Sequence, residues 1–223
     1  MTLVAFDTST PATVVAVDLD GAVGYRRLGP APGSHPAHST QLLAAAGELL
    51  EEVGASWSSV ERIGVGTGPG TFTGLRISAA TAEGLRRAGG AEVVGVGSLE
   101  ALGLPARRRW PSRPVGAVID ARRGELFAAG WEPGGKALFG PRVVAPGAVA
   151  ELFGPDPSAW VVVGEVPEDF DRELLAAGVE RPDEADPLNL IAGAALCELA
   201  RKGQPAAGPL LPDYLREPDA RRR

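Results

Sequence analysis

Cysteine, methionine and histidine are nearly missing from this chain: one, one and two in 223 residues. A lone Cys197 excludes any intramolecular disulfide, so the fold rests on packing. Cys197 lies in the helical run Leu188 to Leu199 among Ile191, Ala195 and Leu196. A small buried hydrophobe is expected there, because a thiol nucleophile needs a base nearby. The two histidines, His35 and His38, sit i, i+3 across Pro36. A nitrogen-ligand metal site needs several convergent side chains, so none is expected. No run approaches the ~18 apolar residues of a membrane span. The N-terminus reaches Asp7 without a basic region, which does not fit a signal peptide. The expectation is a cytoplasmic protein without membrane contact. Basic residues are scattered apart from Arg107-Arg108-Arg109 and Arg221-Arg222-Arg223, and the formal net charge is −6. Nucleic acid demands a concentrated cationic surface, so RNA binding by this chain alone is not expected.

Glycine and proline, by contrast, are plentiful, and their densest cluster is informative. Gly66-Thr67-Gly68-Pro69-Gly70-Thr71-Phe72-Thr73-Gly74-Leu75-Arg76 follows an apolar alternation at Ile63 to Gly66 and opens a helix near Thr73. Strand, glycine turn and helix N-terminus together present free N–H groups, but they also make a stiff connector. No Lys-Ser or Lys-Thr follows, as a Walker loop requires, and the spacing is not that of a dinucleotide fingerprint.

Upstream, strands are expected at Leu3 to Phe6, Thr13 to Asp18 and Ala22 to Leu28, with Asp20-Gly21 as a hairpin turn. A helix from Ser39, as N-cap, to Val53 carries Leu42, Ala46, Leu49, Leu50 and Val53 at helical spacing. Then come the strand ending at Gly66, a helix from Thr73 to Arg87, a strand at Glu92 to Val96 and a short helix at Ser98 to Leu104. Pro105, Pro111 and Pro114 bracket a basic linker, giving lobes at 1–105 and 106–223. The second lobe restarts with strands at Val115 to Asp120 and Glu125 to Trp131 and continues as a shortened copy. Asp186 is read as N-cap, with Pro187 at N1, of a last helix reaching Arg201.

Several strings in order carry a resemblance to a known family. They are Ala5-Phe6-Asp7-Thr8-Ser9-Thr10, His38-Ser39-Thr40-Gln41-Leu42-Leu43, the glycine run continuing to Leu85, Gly97-Ser98-Leu99-Glu100-Ala101-Leu102, Asp120-Ala121-Arg122-Arg123-Gly124-Glu125 and Pro212-Asp213-Tyr214-Leu215-Arg216. Together they span almost the whole chain and resemble the TsaB (YeaZ) family, relatives of TsaD. The order βββαβαβα resembles the half-repeat of the actin/hexokinase superfamily. The resemblance implies an α/β, actin-like ATPase fold of two lobes, each with a mixed sheet and flanking helices, the second shortened.

The resemblance also implies a noncatalytic subunit that binds and supports TsaD, with the TsaE ATPase, in threonylcarbamoyl transfer to the tRNA adenosine beside the anticodon. The chain alone is then expected as a homodimer that meets tRNA only through the complex. TsaD enzymes carry a metal-binding His-x-x-x-His where this chain has Ser98 and Leu102, neither of which replaces an imidazole. Superfamily members hold a metal-bound phosphate after the first strand. Asp7, Thr8 and Ser9, with Gly68 and Gly70, are therefore candidates for residual nucleotide contact, or alternatively cap a turn. No cofactor is expected to be tightly bound, and ATP or ADP contact only within the complex. Asp120 with Arg122 and Arg123 reads as a salt-bridged turn.

A partner surface is expected on two helices: Gly74, Ser78 and Thr81 form a small-residue stripe, with Leu42, Ala46, Leu49 and Leu50 beside it. Adjacent leucines point about 100° apart, so one of each pair was open to reach the core and the other a partner. At least one of those four is thus expected to be exposed in the monomer. Two alternatives stay open: a small-molecule kinase or carbamoyltransferase using Asp7 and Asp120, and an autonomous homodimeric binding protein.

Overall fold

The computed structural model describes residues 1–31 and 33–215; the arginine run at 221–223 lies outside them. β1 (Thr2–Asp7), β2 (Thr13–Leu19), β3 (Ala22–Leu28), β4 (Val60–Gly68) and β5 (Glu92–Gly97) make one sheet in the order β3-β2-β1-β4-β5. β1 and β2 are covered on both faces, which is why they read as unbroken apolar runs. The β2–β3 turn places Asp20 at φ 51° and Gly21 at φ 97°, the two positive values that a two-residue Asp-Gly hairpin needs. β1, β4 and β5 are parallel neighbours, and β1, β2 and β3 form an antiparallel meander.

β6 (Val115–Arg122), β7 (Glu125–Trp131), β8 (Ala137–Val144) and β9 (Val161–Val163) form the second sheet in the order β8-β7-β6-β9. β6 pairs antiparallel with β7 and parallel with β9, repeating the first sheet without its fifth strand. The helices are α1 (His38–Glu52), α2 (Phe72–Gly89), α3 (Ser98–Arg109), α4 (Val149–Leu152), α5 (Glu168–Ala176) and α6 (Gly193–Lys202). The fold is therefore the two-lobed α/β arrangement expected, with a shorter second lobe.

Three helix expectations need correction. α1 starts one residue earlier than expected, with Ala37 in the N-cap position and no side-chain cap; Ser39 lies inside the helix. α3 runs through Pro105 and takes in Arg107, Arg108 and Arg109, so the expected linker is helix. Proline removes one backbone donor, and here burial of Leu99, Ala101, Leu102 and Ala106 outweighs that loss. The boundary expected at residue 105 falls inside this helix, which packs on β4 and β5 and also on β6, β7 and β9. Finally, Asp186 caps only a 3-10 turn at Pro187–Asn189, its carboxylate accepting from the Leu188 amide at 2.8 Å. The chain extends at Leu190 before α6 begins at Gly193, where a Cβ would lie 2.6 Å from that of Tyr25.

α6 lies late in the chain yet packs on β1, β2, β3 and β4 of the first sheet. Together α3 and α6 join the lobes in one core, in which Leu3, Ala5 and Ala16 meet Leu102, Ile119, Trp131 and Leu196. Cys197 is fully buried there, and burial pushes its thiol up to about 12, which fits the packing role. A second core lies under α1 and α2, and it corrects the expected partner stripe. Leu42, Ala46, Leu49 and Leu50 are all at most 1% exposed. α1 is wedged against β2 and β3 on one side and α2 on the other, so both members of the Leu49-Leu50 pair find apolar neighbours. The side chain left outside is Leu43, 46% exposed.

Candidate functional site

β1 ends in the turn Thr8-Ser9-Thr10, and three elements converge on it. Asp7 is fully buried. Its Oδ1 accepts from the Ser9 amide at 2.7 Å and the Ser9 hydroxyl at 2.6 Å, and Ser98 Oγ at the start of α3 donates to Oδ2 at 2.6 Å. Thr8 Oγ1 donates to the Gly74 carbonyl at 2.7 Å and lies 2.5 Å from Ser78 Oγ. The Thr71 amide donates to the Ser9 carbonyl at 2.8 Å, while the Thr71 side chain caps α2 through the Gly74 amide. The turn thus ties α2 on one side to α3 on the other.

The glycine run serves this close approach. A Cβ on Gly66 would lie 2.0 Å from Asp7 Oδ2, and one on Gly70 would lie 2.4 Å from both the Cβ and the carbonyl oxygen of Ser9. Gly68 is the loop residue with positive φ, 109°; the need at Gly70 is for space, not for dihedral freedom. Gly74 and Ser78, expected at a partner surface, are buried against Thr8, whereas Thr81 is half-buried.

A metal-bound phosphate does not fit this turn. Asp7 has no exposed surface, and three donors already occupy its carboxylate. Ser98 is spent on Asp7, and Leu102 is buried in the inter-lobe core, so neither position expected to lack a metal ligand offers one. Ser98 as the partner of Asp7 was missed from sequence, although a buried hydroxyl in a strongly patterned segment was a usable signal. Among the described residues no three or more His, Cys, Asp or Glu side chains gather as a metal cluster. His35 is exposed and His38 buried, so the two imidazoles do not converge. His38 Nδ1 lies 2.8 Å from Thr13 Oγ1 and its Nε2 has no partner. Burial pushes this imidazole below the usual histidine range, with the Asp7 charge opposing.

Between the lobes lies a cleft of about 580 Å³, with Thr10, Pro11 and Ala12 on one wall and Ile119, Asp120 and Glu165 on the other. An Arg27–Glu165 ion pair of 2.7 Å crosses from lobe to lobe. Asp120, two residues before the end of β6 where Asp7 ends β1, accepts from the Arg122 amide at 2.7 Å and pairs with its guanidinium at 3.2 Å. That is the salt-bridged turn expected. No helix among the described residues is long and apolar enough to cross a membrane.

Two sheets of matching strand order, joined by crossing helices around a cleft, define an actin-like α/β protein. The ROK hexokinase of Thermus thermophilus shares this fold at TM-score 0.53 and 15% identity, over 91% of this chain and all of that one. A family model described as "TsaD: tRNA N6-adenosine threonylcarbamoyltransferase" matches residues 32–161. The Escherichia coli (strain K12) tRNA threonylcarbamoyladenosine biosynthesis protein TsaB is 31% identical over 169 residues, 74% of this chain and 71% of the relative. YeaZ from Pseudomonas aeruginosa superposes with TM-score 0.75 at 31% identity, covering 96% of this chain and 99% of that one. The chain belongs to the TsaB (YeaZ) family.

Proposed function

We propose that this chain is a noncatalytic subunit that binds TsaD and supports threonylcarbamoyl transfer to the tRNA adenosine beside the anticodon. The observation that carries this reading is the filled turn after β1. Asp7, Ser9 and Ser98 satisfy one another in full burial, so the chain occupies the place where related folds hold phosphate and metal. A carboxylate so enclosed is a structural anchor, and it offers no base or metal ligand.

What the chain does present is a face. Thr40, Leu43 and Ala44 on α1 and Thr73, Ala80 and Gly84 on α2 are exposed, with Gly47, Ile77 and Thr81 half-buried among them. In a chain with 22% charged residues, this uncharged set, mostly small with Leu43 and Ile77 as its larger members, suits close helix packing. It replaces the buried stripe as the TsaD-binding surface, and Thr81 is common to both. The same face accommodates a second copy, so the chain alone is a homodimer, and one face cannot serve both partners at once. TsaE and tRNA join through the assembly. Nucleotide is not tightly held by the chain alone, and the assembly is cytoplasmic.

The test is copurification with TsaD followed by a tRNA modification assay. The reading requires activity from the pair, none from this chain alone and loss on omitting it. Modification by this chain without TsaD would overturn it.

A further inference from the structure

After α6 the chain turns back as a strap, residues 203–215, across the glycine loop. The Ala206 amide donates to Val93 O and the Asp213 amide to Thr67 O, both at 2.7 Å. Leu210 packs against the core under α1 and α2, and Leu215 against the core between the lobes. Between those anchors two large side chains point outward: Leu211 is 80% exposed and Tyr214 is 41% exposed. The Tyr214 ring lies 5.3 Å from that of Phe72, and Arg76 places its guanidinium 4.0 Å over Phe72.

Arg76 is notable for what it does not bind. Arg62 pairs with Glu92, Arg108 with Glu198 and Arg201 with the buried Asp18. Among the described residues Arg76 has no ion-pair partner, and Asp213 in the strap forms no ion pair with it. Near the start of α2 the helix dipole offers a cation nothing, and stacking on Phe72 does not use the in-plane N–H donors that suit a carboxylate. A guanidinium that has no ion-pair partner among the described residues, stacked on a ring that also meets Tyr214, combines a charged anchor with exposed apolar surface on the strap.

We propose that Arg76, Phe72, Leu211 and Tyr214 form a docking surface for a carboxylate-bearing segment of the partner subunit, extending the face of α2. The inference rests on the reading of the chain as a TsaD-binding subunit. Arg76 takes the carboxylate, and Leu211 with Tyr214 covers the adjoining apolar side chain. Calorimetric titration of the purified chain with TsaD, at low and high salt, tests it in three variants. Arg76→Gln and Leu211→Ser should each weaken binding about tenfold or more, with unchanged melting temperature. Arg76→Gln should also flatten the salt dependence. Wild-type affinity and salt dependence in Arg76→Gln overturn the docking surface. Leu43→Glu, on the helical face, separates the two readings. If it alone loses binding, the face stands and the strap surface falls. If Arg76→Gln loses binding and Leu43→Glu does not, the strap surface stands and the face is misplaced. If no variant changes binding, both fall.

Discussion

Asp7 and Asp120 occupy comparable places, at or near the end of the first strand of each sheet, yet the chain treats them in opposite ways. Asp7 is fully buried and holds three hydrogen bonds from Ser9 and Ser98. Asp120 keeps a quarter of its side-chain surface in solvent, lines the cleft and answers to Arg122. The matching strand orders place a carboxylate at comparable positions in both sheets. In the first lobe it is the knot between α2, α3 and the first sheet; in the second it closes a turn beside the cleft. A strand-end aspartate in this architecture therefore signals ligand chemistry only where its oxygens remain free.

The largest effect that can break this comparison comes from crowding Asp7. Gly66→Val would push a branched side chain into its carboxylate, and overpacking of this kind costs ~1–3 kcal/mol or more. The additional loss of buried hydrogen bonds should leave the variant largely unfolded in a denaturant titration. Gly70→Val should behave similarly for lack of space. Normal stability in both would mean that the loop yields easily and the turn is no knot.

Next in size are the aspartates themselves. Asp7→Ala strands the buried donors of Ser98 and Ser9 and should cost about 2–4 kcal/mol. Asp120→Ala removes a partly exposed pair and a turn hydrogen bond and should cost less than about 1 kcal/mol. Equal losses by urea denaturation would erase the distinction between the lobes.

A smaller effect concerns pH. Burial holds the His38 pKa below its unfolded value. The unfolded chain therefore takes up the proton first, so stability is present above about pH 6.5 and falls as pH drops toward the lowered folded pKa. The slope there is at most about 1.4 kcal/mol per pH unit for one histidine. His38→Gln should flatten it; an unchanged slope in that variant would place the sensitivity elsewhere. Smallest of all, Arg27→Ala removes an exposed ion pair across the cleft and should change stability by less than about 1 kcal/mol.

Much of this organisation was legible in the residues, for identifiable reasons. Asp20-Gly21 specifies its turn chemically, and the apolar runs of β1 and β2 specify strands covered on both faces. Which leucines of α1 are buried was not legible, because helical periodicity gives the angle between Leu42 and Leu43 but not which of them meets the sheet. Only the wedge of α1 between sheet and α2 decides that, and it buries both Leu49 and Leu50. Pro105 misled because a local rule about helix interiors yielded to a buried face shared by two lobes. Asp186 misled because a good N-cap begins a 3-10 turn as readily as an α-helix. The Asp7–Ser98 bond joins residues 91 positions apart, beyond any local pattern.

The central claim is that chemistry has been closed off inside the turn while association lies on the outer helical face. It is tested most directly by comparing Leu43→Glu with Leu49→Glu in melting temperature and in affinity for TsaD. Leu43→Glu should fold with an unchanged melting temperature and lose most of its affinity, while Leu49→Glu, forcing a charge into the core, should fail to fold. A Leu43→Glu chain that binds TsaD as tightly as the parent would contradict the account.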